Sequence, residues 1–113
     1  MKILIFALTL LFGGNVMAET HEFVLFKFKK ELSHVEQSKL MKEIDSCAKK
    51  LKGFKSREYY FSESDNRWID HVVWETAADA KNASQEIMKV PEAQMVFSHI
   101  DESSISMSHY LKK

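Results

Sequence analysis

The stretch Glu22 to Lys29 (EFVLFKFK) concentrates Phe23, Val24, Leu25, Phe26 and Phe28 in one short run. Aromatic and β-branched residues at this density favour a β-strand, and here they fall on both alternating faces. A strand patterned in this way has to be covered on both sides. Lys27 is the only charge that interrupts the run. It serves a ligand or a partner chain, or it extends along its apolar stem to the rim.

Beyond this strand the chain alternates between helical and extended signals. Ser33 with Glu36 three positions later forms a capping box, in which each side chain satisfies the other's free backbone N–H. The helix it opens runs to about Leu51, with Val35, Leu40, Ile44, Ala48 and Leu51 on one stripe. Lys49, Lys50 and Lys52 sit at its negative end, and Gly53 is the expected left-handed cap. Phe54 to Ser62 is a second strand, Ser64 to Arg67 a polar turn, and Trp68 to Glu75 a third strand antiparallel to the second. Thr76 and Asp79 repeat the capping pattern and open a helix from Ala77 to about Val90, whose inner face is Ala77, Ala80, Ala83 and Ile87. Pro91 stops that helix and starts a short one through Phe97. Asp101 to Ser103 turns the chain into a last strand, Ser104 to Tyr110.

The order β-α-β-β-α-β defines an α+β, ferredoxin-like fold: one antiparallel sheet with its helices on one face. The other face would then carry an apolar and aromatic patch too large to leave in water. A second copy, sheet against sheet, is the simplest cover, so a homodimer is expected.

Ahead of this domain the chain carries an address. Met1 and Lys2 supply a positive start, Ile3 to Phe12 is apolar apart from Thr9, and Val16-Met17-Ala18 offers small residues where a signal peptidase reads. The apolar run is about ten residues, against about 20 for a bilayer-spanning helix. Residues 1–18 therefore read as a cleavable signal and 19–113 as a single exported domain, periplasmic or secreted. Position 19 is Glu rather than the Cys of a lipoprotein, so no membrane association is expected once the signal is removed. Losing Lys2 from a chain with 16 basic and 16 acidic side chains leaves a net charge of −1, which offers nucleic acid no attraction. The lone Cys47 excludes an internal disulfide despite the oxidising destination, and its place near the inner stripe of the first helix makes it an inert buried thiol.

Within this frame the third strand and the segments C-terminal to it form a pattern. The run WIDHVVWET (Trp68 to Thr76), an alanine-rich helix, then Pro91-Glu92-Ala93 and Phe97, resembles the antibiotic biosynthesis monooxygenase-like family. Val24-Leu25-Phe26-Lys27, Gly53-Phe54 and Met107-Ser108-His109 fit the same pattern, so the resemblance spans almost the whole of residues 19–113. It implies a dimeric α/β barrel in which the two sheets enclose a pocket in each subunit. It also implies oxidation of aromatic polyketide-like molecules without metal or flavin, or haem degradation. Haem-degrading members pair an Asn on the first strand with a Trp and a helical His, and the first strand here carries no Asn.

Asp70 is the most informative candidate. It shares its parity with Trp68, Val72 and Trp74 in a strand expected to be buried on both faces. A buried carboxylate either pairs, here with Arg57 or Lys55, or has its pKa raised into the range of a general base. His109 is the second candidate acid or base; His71, next to Asp70, points to the opposite face. Trp68, Trp74, Tyr59, Tyr60 and Phe61 are placed to stack on a flat ligand or to form plain core. His21 and His34 read as solvated. No two histidines stand one turn apart on a helix, and no metal site or cofactor is expected. Two functions are compatible with these residues: a cofactor-free oxygenase or isomerase acting on an aromatic small molecule, or a non-catalytic exported protein that binds a small apolar ligand or haem. Export tilts the balance toward binding, and among reactions toward one without a reduced cofactor, which is scarce outside the cytoplasm.

Overall fold

The computed structural model describes residues 18–113; the signal segment expected over 1–18 lies almost entirely outside them. Seven elements run in order: β1 (Thr20–Phe28), α1 (His34–Ala48), β2 (Phe54–Ser62), β3 (Arg67–Trp74), α2 (Ala77–Ile87), α3 (Pro91–Phe97) and β4 (Ile100–Leu111). The four strands form one antiparallel sheet in the order β2-β3-β1-β4. This is the expected ferredoxin-like α+β arrangement. The central position of β1, between β3 and β4, explains why its apolar residues fall on both parities.

The two parities divide the sheet, with Val73 the one buried residue of β3 on the open side. Thr20, Glu22, Phe26 and Phe28 of β1 are buried, as are Trp68, Asp70, Val72 and Trp74 of β3; this is the face under the helices. His21, Phe23, Leu25 and Lys27 occupy the other face and are half-buried. Beneath the helices the core falls into two clusters. One gathers Phe26, Phe28, Met41, Trp68, Val96 and Ile100 with their neighbours, and the other joins Val72 and Trp74 to Ala80 and Ala83 of α2. The alanine face of α2 is what lets that helix lie close on β3.

Both N-caps form. Ser33 Oγ accepts from the Glu36 amide and Thr76 Oγ1 from the Asp79 amide, although Glu36 returns its carboxylate to the Ser33 hydroxyl rather than to the backbone. Gly53 has φ +82°, and a Cβ there would collide with the Asp79 side chain, so the position requires glycine.

The inner stripe of α1 differs from expectation: Gln37, Met41, Ile44, Cys47 and Ala48 are buried, while Val35 is 65% exposed. Gln37 takes the inner position because both ends of its amide find a partner there. Its Nε2 donates to the Leu32 carbonyl at 3.1 Å, and its Oε1 accepts from Trp68 Nε1 at 2.9 Å. The last strand also begins earlier than the Asp101–Ser103 turn suggested. The turn contacts are present, with Asp101 Oδ1 accepting from the Ser103 amide and hydroxyl, but they sit inside β4 at a register shift opposite Leu25 and Lys27. Ser104 Oγ accepts from the Lys27 amide at 2.7 Å and so satisfies the donor that the irregularity frees.

Candidate functional site

A cavity of about 90 Å³ lies where the two core clusters meet, between the sheet and the three helices. It is on the helix-covered side of the sheet, opposite the open face on which a pocket between two sheets would form. Alternation along a strand determines which residues share a face, but which face the helices cover is decided only by tertiary packing. The walls are mostly apolar: Val24, Phe26 and Val72 from the sheet, Met41 and Ile44 from α1, Ala83 and Ile87 from α2. Four polar side chains reach it, those of Glu22, Arg57, Asp70 and Ser84.

Arg57 and Asp70 form a closed pair. Arg57 Nε donates to Asp70 Oδ1 at 2.8 Å and Oδ2 at 3.1 Å, and its Nη2 donates to Oδ2 at 2.8 Å. Nη1 donates to the Met41 carbonyl at 2.9 Å and stands 3.5 Å from Asp45 Oδ1. The guanidinium carbon lies 4.5 Å from the centre of the Tyr59 ring, and the side chain is only 1% exposed. Burial pushes the Asp70 carboxyl above its ordinary range and the charges of Glu22 and Asp45 add to that, while the Arg57 hydrogen bonds and charge pull it down. Of the two partners named from the sequence, Arg57 is the one that pairs with Asp70, and burial opposes that pairing's effect on the carboxyl.

The other carboxylate, Glu22, was missed as a site residue. Its parity with Val24, Phe26 and Phe28 was the signal that places it inward. Glu22 Oε1 accepts from Trp74 Nε1 at 2.8 Å, and Oε2 lies 3.6 Å from His109 Nε2. That histidine, opposite Glu22 in the β1–β4 register, is buried with no hydrogen bond to Nε2. A lone pair on Nε2 would face a carboxylate, so the geometry favours the tautomer with the proton on Nε2.

The remaining candidates disperse. Trp74 lines the cavity, whereas Trp68 is buried in the larger cluster with its indole N–H on Gln37. Tyr60 is 56% exposed and pairs with Ile69 on the open face, where a ligand in the cavity cannot touch it. His71 is also on the open face, stacked on Phe23 at 4.3 Å with its Nε2 2.9 Å from His21 Nδ1. His21 is thus engaged and half-buried rather than solvated, and its Nε2 lies 3.1 Å from Glu19 Oε1. His34 stacks on Trp68 at 5.7 Å. Lys27, too, belongs to the open side. Burial pushes the Cys47 thiol up, consistent with an unreactive side chain. Among the described residues no cluster of three His, Cys, Asp or Glu side chains is placed to hold an ion, and no helix is long and apolar enough to cross a membrane.

The ferredoxin-like fold expected from the order of elements is shared with several solved structures. Among solved structures the chain is similar to SnoaB, a cofactor-independent oxygenase from Streptomyces nogalater, with a TM-score of 0.70 at 12% identity, covering 85% of this chain and 94% of that one. It is also similar to the hydroxynitrile lyase from Passiflora edulis, with a TM-score of 0.64 at 12% identity over 86% of this chain and 95% of that one. A conserved protein from Bacteroides thetaiotaomicron gives a TM-score of 0.66 at 9% identity over 85% and 99%. No family model and no curated protein matches the sequence. At these identities the likeness is one of fold.

The Arg57–Asp70 pair generates a stability prediction. Asp70→Leu leaves the Arg57 charge buried against Asp45 alone and should cost about 3–5 kcal/mol, read from the urea midpoint. Arg57→Met combined with Asp70→Leu removes both charges and should recover most of that loss. An equal loss in the single and double variants would show that charge compensation is not what holds this region together.

Proposed function

We propose that the chain is an exported, homodimeric α/β-barrel protein that admits a small apolar molecule to the cavity between sheet and helices and performs cofactor-independent acid–base chemistry on it. The observation that carries this reading is a pair of buried carboxylates, Glu22 and Asp70, at a mostly apolar cavity that Arg57 and Ser84 also reach. A carboxylate there can take a proton from a weakly acidic ligand, and exclusion of water favours that abstraction. The oxygenase version of this chemistry uses dioxygen as its oxidant after that proton is lost; the isomerase version returns the proton elsewhere. SnoaB and the Passiflora lyase support the reading by fold analogy.

The size of the cavity narrows the ligand. Apolar cavities of about 150 Å³ take benzene, so this one of about 90 Å³ takes a single small ring only if a flexible wall such as Met41 or Met107 yields. Polycyclic polyketides would need the Met41 and Met107 walls to move. This cavity is far too small for haem, so the haem version of binding would use the space between the sheets of two copies instead. Non-catalytic binding of a small apolar ligand is the second reading, favoured by the closure of Asp70 on Arg57, which ties up one of the two carboxylates.

Turnover separates the two. Small phenols, hydroquinones and enols, offered in chelator-treated buffer, should show solvent-deuterium exchange or oxygen uptake that is lost on Ala83→Leu, which fills the cavity. Turnover indifferent to Ala83→Leu would remove the cavity from the reaction, and binding without turnover across the set would leave the binding reading in its place.

The open face supports the dimer. Phe23, Leu25 and Ile69 are only half-buried there, and Tyr60 and Tyr110 are more than half exposed on the same face. Sedimentation at micromolar concentration should give twice the mass of the processed chain, and protein recovered from outside the cytoplasm should begin at Glu19. A monomer, or a chain that retains residue 1, contradicts the corresponding part of the proposal.

A further inference from the structure

Of the four polar side chains that reach the cavity, three are spoken for. Asp70 and Arg57 exchange three hydrogen bonds, and the rest of the guanidinium is taken by the Met41 carbonyl and Asp45. Ser84 donates to the Lys81 carbonyl at 2.7 Å. Glu22 differs. Its carboxylate accepts one hydrogen bond, from Trp74, and its second oxygen has only His109 Nε2 at 3.6 Å, beyond hydrogen-bonding distance. A carboxylate has about four acceptor positions, and in this side chain, 9% exposed, those on Oε2 have no protein donor within hydrogen-bonding distance. An under-satisfied carboxylate in an apolar wall is costly, and a donor brought to it is correspondingly strongly held.

The geometry points to Glu22 as the polar anchor of the cavity, selecting a small neutral ring that presents an O–H donor over an apolar or an anionic molecule of the same size. This assignment rests on the cavity being the ligand site and names the chemistry that site accepts. Trp74 holds the carboxylate from one side and His109 backs it on the other, so Glu22 cannot turn away from the cavity without losing its one hydrogen bond. An anion gains nothing there. Among the described residues the one cation at the cavity wall, Arg57, is already matched by Asp70 and Asp45, and both Glu22 and Asp70 would repel a carboxylate ligand.

Phenol, toluene and benzoate are near-isosteric probes of this selection. Titration of each into the protein, followed through the amide signals of Ala83 and Val96 and the Trp74 indole N–H, should give phenol an advantage over toluene of about ten-fold or more, the range of a hydrogen bond to a charged group. Benzoate should bind more weakly than either. Glu22→Gln keeps the shape and removes the charge; it should shrink the phenol advantage and raise benzoate affinity. Equal affinities for phenol and toluene in the unaltered protein overturn the assignment while leaving the cavity as the binding site, and this comparison stands even if Glu22→Gln does not fold. Ratios unchanged by a folded Glu22→Gln overturn it as well. If none of the three probes shifts the cavity signals, the cavity reading itself fails and the assignment falls with it.

Discussion

Arg57 holds the region under the helices together. From the edge strand β2 it reaches beneath the sheet to Asp70 on β3, to the Met41 carbonyl on α1, and toward Asp45 further along the same helix. A guanidinium this buried is tolerated only when its charge and donors are met, and here they are. Its position also sets the shape of the interior. Where charges have to be accommodated the apolar packing is interrupted, and the cavity opens between the cluster built on Phe26 and Met41 and the cluster built on Val72 and Ala80.

That arrangement gives the two carboxylates of the inner face different tasks. Asp70 is consumed in positioning Arg57 and, through it, α1 on the sheet. Glu22 keeps acceptor capacity toward the cavity, with the Trp74 indole fixing its direction. The opposite face of the sheet is built from other materials: stacked rings of His21, His71 and Phe23, with an ion pair from Lys55 to Glu19 at 2.6 Å along its margin. One face is arranged around polar groups in an apolar interior; the other is an aromatic surface suited to a second copy.

How far these features could be read from the sequence depended on their physics. The strand boundaries and both N-caps follow from local rules, since alternation, turn residues and a hydroxyl three positions before an acid act within a few residues. Asp70 stood out because a carboxylate interrupted a buried parity, and Arg57 was one of two named partners. Glu22 carried the same parity signal but stood at the edge of the expected strand, where a charge needs no explanation. The α1 stripe held at Ile44 and Ala48, with Leu40 and Leu51 packed against the core, but failed at Val35. It also omitted Gln37, which is buried on the strength of Trp68 and the Leu32 carbonyl, neither of which its own helix supplies. The side of the sheet that bears the cavity was beyond sequence patterning altogether. Period-two alternation groups Asp70 with Trp74, and His71 with its own face, yet it does not say which group the helices cover.

The central claim is that ligands enter between sheet and helices and are held at Glu22. Diffraction from crystals soaked in 4-bromophenol locates a small ring-bearing donor directly through the anomalous signal of bromine. The account predicts a bromine peak inside the cavity, with the phenol oxygen within hydrogen-bonding distance of the Glu22 carboxylate. A peak confined to the open face, among His21, His71 and Tyr110, would contradict it.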